Sequence, residues 1–155
     1  MQHIIGTYEC KSDAKGRIMM PVAIKKQLSN VITNGFVLKR AVFNNCLELY
    51  PMQEWTLLME KINSLNRFNK KNNDFIRRFT AGVKTVEIDI SGRLLIPKNL
   101  IKHAQIGKEI VVSSAINIIE IWDKSLYEKA IDEATLDFGV LAEEVMGDKY
   151  DGTIS

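Results

Sequence analysis

Little in this sequence belongs to the usual chemistry of catalysis. Histidine occurs only at His3 and His103, and cysteine only at Cys10 and Cys46. There is no H-E-x-x-H and no C-x-x-C, no nucleophile elbow surrounds any serine, and neither G-x-x-x-x-G-K nor G-x-G-x-x-G is present. These absences argue against a metal enzyme, a hydrolase and a phosphate-cradling loop, so the expectation is a non-enzyme with no cofactor, no metal and no small-molecule substrate. Two cysteines are too few for a disulfide scaffold and are read as buried free thiols. Long apolar runs are missing as well. No stretch approaches the roughly 18 residues of a membrane span, and Met1-Gln2-His3-Ile4-Ile5-Gly6 lacks the basic and apolar regions of a secretory signal, so a cytoplasmic protein is expected.

What is present is a chain of 155 residues with 46% hydrophobic content, enough for one or two small globular domains. The net charge of +2 hides a division: residues 123–155 carry −6 and residues 1–122 carry +8. A basic body with an acidic tail suits a polyanion-binding surface, although lysines scattered over a solvated face explain such an excess equally well.

The strongest feature is a repeat. Asp13-Ala14-Lys15-Gly16-Arg17-Ile18-Met19-Met20-Pro21 returns 76 residues later as Asp89-Ile90-Ser91-Gly92-Arg93-Leu94-Leu95-Ile96-Pro97. An Asp three residues before a Gly suits a type I turn, with the acid capping its first position and Gly at its last. Arg follows, then three apolar residues for a short strand, then a Pro suited to a helix start. The echo continues, with Leu47-Glu48-Leu49-Tyr50 matching Ile119-Glu120-Ile121-Trp122 at an offset of 72. Each copy reads as small strands around one short helix, followed by longer helices over 52–65, 73–81, 124–134 and 138–146. The basic stretch 66–73 reads as a solvated loop, or secondarily as a backbone contact for a polyanion, and 147–155 as a frayed end. Trp55, Trp122 and Tyr127 read as core. One copy alone is too small to bury its apolar faces. The economical arrangement is an α+β fold in which both copies pack about a pseudo-two-fold axis as one barrel-like core with flanking helices.

Arg17 and Arg93 each stand four residues after an Asp. One reading is structural, a pair of Asp–Arg bridges stapling turn to strand. The other places both guanidiniums on one surface near Lys15, Lys25, Lys26, Lys98 and Lys102, because guanidinium forks suit phosphates and guanine edges while lysines neutralise backbone charge. The two are compatible. Asp13 and Asp89 are not a proton-sharing dyad, since the nearby Arg holds each carboxylate ionised.

The doubled Asp-x-x-x-Arg motif, the Leu-Glu-Leu-Tyr-Pro and Ile-Glu-Ile-Trp-Asp echo and the interposed helices resemble the MraZ family of bacterial transcriptional regulators, over residues 1 to about 135. Each repeat resembles an AbrB-type (SpoVT-AbrB) swapped-hairpin module. The resemblance implies repeat 1 over 7–54, a helical connector over 55–82, repeat 2 over 83–126, and a C-terminal helix with an acidic tail over 127–155. Two such modules in one chain imply a pseudo-two-fold, double-psi-like β-barrel. The implied activity is sequence-specific binding of double-stranded DNA at short tandem repeats upstream of the division and cell-wall gene cluster. With it go repression of that operon including the protein's own gene, a place on the nucleoid, and a homo-oligomeric ring. Lys15, Arg17, Lys25, Lys26, Arg93, Lys98 and Lys102 are the expected DNA contacts, and Asp13, Gly16, Asp89 and Gly92 the residues that build the turns. The second copy has Ser91 where the first has Lys15, and Ile101-Lys102 where the first has Lys25-Lys26. The alternatives are an AbrB-like antitoxin or regulator of another operon, and an oligomeric scaffold in which both arginines are purely structural.

Overall fold

The computed structural model describes residues 3–135 and 137–147. The chain falls into two units, Met1–Lys124 and Ser125–Ser155. In the first, strand β1 (Thr7–Lys11) leads through the first Asp-Gly turn to β2 (Arg17–Met19) and helix α1 (Val22–Gln27), then a 3-10 turn, β3 (Phe36–Arg40) and β4 (Leu47–Pro51). Helices α2 (Met52–Asn63) and α3 (Lys70–Thr80) intervene. The second copy supplies β5 (Lys84–Val86), β6 (Arg93–Leu95), α4 (Lys98–Ala104), β7 (Glu109–Ala115) and β8 (Ile118–Asp123).

Pro21, Pro51 and Pro97, the only prolines in the chain, all stand at helix N-caps, with φ between −53° and −57°. Pro21 and Pro97 therefore sit one residue earlier than the first helical position expected for the motif prolines, whereas the helix after Pro51 starts at Met52 as expected. A fixed φ and a missing N–H cost nothing there, because the helix start has no carbonyl to offer that N–H. Helix α3 also differs from expectation. It begins at Lys70 because the Asn69 carboxamide accepts hydrogen bonds from the backbone N–H groups of Lys71 (2.9 Å) and Asn72 (3.3 Å). Asparagine is among the best N-caps, so half of the expected 66–73 loop is the helix's first turn.

Strand pairing joins the copies. The main sheet runs β1-β7-β8-β4-β3-β5, and a second, two-stranded sheet pairs β2 with β6. Exchanging each strand for its equivalent in the other copy (β1 with β5, β3 with β7, β4 with β8) returns the same order reversed. The registers agree: Glu48 faces Glu120 across β4–β8, and Ile18 faces Leu94 across β2–β6, each residue meeting its own repeat equivalent. The isolated bridges Ser12–Ile18 and Ile88–Leu94 are equivalent too. The first strand of each copy lies against the other copy, β1 on β7 and β5 on β3. Neither copy can thus close its sheet alone, which is how two 45-residue units acquire a shared core of Ile18, Ile24, Leu38, Leu49 and their counterparts Leu94, Leu100, Val112 and Ile121, all at most 1% exposed.

The cysteines form no disulfide. Cys46 is buried and Cys10 only half-buried; burial pushes the Cys10 thiol up to about 11. Trp122 is buried, whereas Trp55 is half-buried and packs edge-on against Tyr50, with ring centroids 5.4 Å apart. The aromatic core expected from the sequence is therefore only partly covered.

In the second unit, α5 continues from Lys124 to Thr135 with Tyr127 half-buried. Helix α6 (Phe138–Ala142) then passes into a π-helical turn, Glu143–Gly147, so the single helix expected over 138–146 changes its hydrogen-bond pattern midway. Residues 148–155, part of the stretch expected to fray, lie outside the described residues. Among the described residues no helix is long and apolar enough to cross a membrane.

Candidate nucleic-acid interface

The two Asp-Gly turns share a backbone frame. Gly16 N–H donates to the Asp13 carbonyl (3.1 Å) and Gly92 N–H to the Asp89 carbonyl (2.9 Å), while Asp13 and Asp89 N–H donate to the Arg17 and Arg93 carbonyls, both at 2.9 Å. Both glycines have positive φ, +83° and +88°, a region that disfavours side chains. The reversed chain then enters the β2–β6 ribbon. Period-two alternation buries Ile18 and Leu94 and turns Arg17, Met19, Arg93 and Leu95 outward. Arg17 pairs with Leu95 and Met19 with Arg93, so the two arginines are diagonal neighbours, with backbones about 7–8 Å apart. The expectation that both would share one surface rested on symmetry. The register delivers it and adds two residues that sequence reasoning missed, Met19 (47% exposed) and Leu95 (57%). The same alternation could have revealed them.

The carboxylates hold the turns differently. Asp13 Oδ1 accepts from the backbone N–H of Lys15 and of Arg17, both at 2.9 Å, and Oδ2 accepts from Arg17 Nε at 2.8 Å. Asp89 Oδ1 accepts from Arg93 N–H (2.9 Å) and from the Ser91 hydroxyl (2.7 Å). The Arg93 guanidinium makes no hydrogen bond or ion pair with any described residue. The expected pair of Asp–Arg bridges is therefore one bridge, in the first copy, because Ser91 supplies to Asp89 the side-chain donor that Arg17 supplies to Asp13. Both carboxyls are held below the usual Asp range, chiefly by the backbone N–H of the motif Arg; next come the guanidinium at Asp13 and the Ser91 hydroxyl at Asp89.

The copies also reach across one another. Ile96 N–H donates to the Gly16 carbonyl (2.9 Å) and Met20 N–H to the Gly92 carbonyl (2.8 Å). Lys25 extends over the second turn and donates from Nζ to the Ile90 carbonyl at 3.3 Å. Its repeat equivalent, Ile101, packs over Gly16 instead. Lys25 is thus half-buried at the opposite copy's turn, whereas Lys15, Lys26, Lys98 and Lys102 are exposed, and their ammonium groups make no hydrogen bond or ion pair with described residues. Lys15 stands in the first turn, Lys26 on α1 and the other two on α4. Among the described residues no cluster of His, Cys, Asp and Glu could hold a metal ion.

A family model described as "MraZ protein, putative antitoxin-like" matches twice, over residues 4–78 and 79–148. The chain belongs to the MraZ family. A protein of Christiangramia forsetii named Transcriptional regulator MraZ is 67% identical over 153 residues, spanning 98% of this chain and 99% of its own. Another of the same name from Flavobacterium psychrophilum is 68% identical, over 97% of this chain and 96% of its own. A more distant one from Clostridium tetani is 38% identical over 91% and 95%.

Proposed function

We propose that this protein is a sequence-specific DNA-binding transcriptional regulator that represses the division and cell-wall gene cluster, its own gene included. One observation carries the reading: a two-stranded ribbon presents Arg17 and Arg93 from one exposed face, each behind a turn built on an ionised Asp. The major groove of B-DNA admits such a ribbon, and an Arg fork reading guanine is worth about 1–3 kcal/mol of discrimination. Asp13 fixes Arg17 by its Nε and leaves the terminal nitrogens of the fork for a base or phosphate. Met19 and Leu95 between the arginines suit thymine methyls, and Lys15, Lys26, Lys98 and Lys102 add phosphate contacts, with Lys25 shared between the opposite turn and the DNA. The names of the relatives agree with regulation, and the strand exchange between copies supports a swapped-hairpin, double-psi-like barrel of AbrB type, with repeats over 7–54 and 83–126.

The protein acts in the cytoplasm, on the nucleoid, as a homo-oligomeric ring on short tandem repeats. Exposed Phe138, Val140, Leu141, Val145 and Met146 of the C-terminal unit, each 44–60% exposed in the single chain, supply apolar surface for subunit contacts. A ribbon making few phosphate contacts gains affinity when several protomers engage spaced repeats together. The antitoxin-like wording of the family description favours, as a second reading, the regulation of a different operon.

The deciding experiment is binding to a labelled duplex from upstream of the protein's own gene, against a scrambled duplex, over a range of salt, with Arg17→Ala and Arg93→Ala. Specific binding should weaken with a salt slope of about 0.9 per neutralised phosphate, and each variant should lose about tenfold or more while remaining folded. Specific binding to other DNA only would select the second reading. No salt-dependent DNA binding, with the oligomer intact, would overturn both.

A further inference from the structure

Away from the ribbon, α3, the end of β3 and α4 enclose a cleft of about 530 Å³. One side is apolar, formed by Phe75 and Phe79, whose rings lie 5.4 Å apart at 30°, with Val42 beside them. The other side is cationic. Lys39, 1% exposed, is already neutralised: its ammonium donates to the Arg40 carbonyl, lies 3.5 Å from a Glu48 carboxylate oxygen and sits 4.2 Å over the Phe79 ring. Arg40 and Arg78 are not. Arg40 is aimed by one bond from Nε to the Ala81 carbonyl (3.2 Å) and meets no carboxylate among the described residues, and Arg78 makes no hydrogen bond or ion pair with them. Asp74, also on the wall, is engaged by Lys70 at 2.8 Å and Arg77 at 3.2 Å.

His103 completes the cleft, and its Nε2 is buried with no hydrogen-bond partner. A buried ring nitrogen left unmatched is costly, so the site favours a ligand atom that satisfies it. Burial, and then the charge of Arg40, hold the imidazole below the ordinary histidine range, so at neutral pH it is uncharged and able to hydrogen-bond without adding to the local charge.

We propose that this cleft binds a small organic anion, with a phosphate or carboxylate held by Arg40 and Arg78, a flat apolar body against Phe75 and Phe79, and a polar atom on His103 Nε2. Two guanidiniums without carboxylate partners are a fork for an oxyanion. The aromatic wall beside them selects against a bare inorganic ion. The site is separate from the Asp-Gly turns, and its test needs no DNA.

The test is titration of the full chain with inorganic phosphate, phenyl phosphate and benzoate, followed by calorimetry and by the His103 ring-nitrogen resonances. Phenyl phosphate or benzoate should bind at one site per chain about tenfold or more tighter than inorganic phosphate, moving the Nε2 signal, and whichever of the two binds tighter names the headgroup. Arg78→Ala, on an exposed helix face, should weaken binding about tenfold or more, Arg78→Lys less, and Lys71→Ala on the same helix not at all. The proposal is overturned if neither aryl anion saturates at millimolar concentration, or if Arg78→Ala leaves affinity unchanged. It is equally overturned if Arg78→Ala alters the size of the oligomer instead, because the cleft is then filled by a second copy of this chain.

Discussion

Replacing Gly16 and Gly92 by alanine, one at a time, should damage the two turns unequally. With φ of +83° and +88°, either substitution carries the left-handed penalty of about 1–2 kcal/mol. The surroundings then separate them. A Cβ on Gly16 would lie 2.5 Å from Ile101 Cδ1 and 3.0 Å from the Ile96 carbonyl oxygen. The Ile101 methyl can rotate aside, but the carbonyl belongs to the residue whose N–H donates to Gly16 at 2.9 Å. Relieving the contact stretches that bond, worth about 0.5–1.5 kcal/mol net. On Gly92 the nearest atoms are Lys25 Nζ and Met19 Sδ, both at 3.4 Å and both at the ends of flexible side chains. The expected losses are therefore about 1.5–3.5 kcal/mol for Gly16→Ala and about 1–2 kcal/mol for Gly92→Ala. Urea denaturation at one fixed protein concentration measures both, since an oligomer's stability shifts with concentration. In an Ile101→Ala background the Gly16→Ala loss should shrink yet stay above that of Gly92→Ala, because the Ile96 carbonyl remains. Equal losses for the two glycines, within about 0.5 kcal/mol, would refute the reasoning.

Ile116 is a β-branched residue at φ +66°, 67% exposed, in the two-residue loop between β7 and β8; Ile116→Asn should stabilise by about 1 kcal/mol, raising Tm by about 2–4 °C, and a fall in Tm would show the strain is absent. Because Asp13 and Asp89 have depressed native values, they stabilise the fold above the unfolded Asp value of about 3.9 and lose that contribution as pH falls through the native one. The stability gap between the parent and Asp13→Asn/Asp89→Asn should accordingly narrow below about pH 4, and a gap constant with pH contradicts the assignment. Lys39→Met leaves Glu48, 17% exposed at its side chain, without its cation and should cost about 2–4 kcal/mol, with Glu48→Gln restoring a good part; a double variant no better than the single would remove the pairing argument.

The repeat was legible because its chemistry is local: an Asp that accepts backbone N–H groups, a Gly at positive φ and a Pro that starts a helix work within nine residues. The partners of β1, β2, β5 and β6 were not. From the turn alone β1 and β2 look like a hairpin, yet among the described residues their arms are joined only beside the turn, by the Ser12–Ile18 bridge and the Asp13 N–H to Arg17 carbonyl bond, because β2 finds its ladder in β6 and β1 in β7. That choice depends on faces some 70–100 residues away, which no local spacing encodes. The early start of α3 was readable in Asn69 and was obscured by the neighbouring lysines and asparagines, which resemble a loop. The loss of the second Asp–Arg bridge hangs on one hydroxyl, Ser91, that reaches Asp89. The cleft at His103 left no trace in the sequence, since Arg40, Arg78 and His103 come from three separate elements.

Carrying both copies in one chain makes the two halves of the ribbon unequal. Two identical chains pairing about a true two-fold axis present identical halves and suit a palindromic site. Here the halves differ around the two motif arginines: Arg17 is clamped by Asp13 while Arg93 is unclamped, Lys15 stands where the second copy has Ser91, and Lys25 lies over one turn where Ile101 lies over the other. On the DNA-reading proposal, one protomer then has a direction along the groove, with the more cationic turn at one end. A directional reader fits elements repeated head to tail, where each protomer meets its own copy in the same orientation, and gains nothing from an inverted pair. Inverting one of two adjacent elements at constant spacing should therefore abolish the avidity of the pair and leave the affinity of each single element unchanged. Equal avidity for direct and inverted pairs would mean that the two turns read DNA alike despite their different side chains.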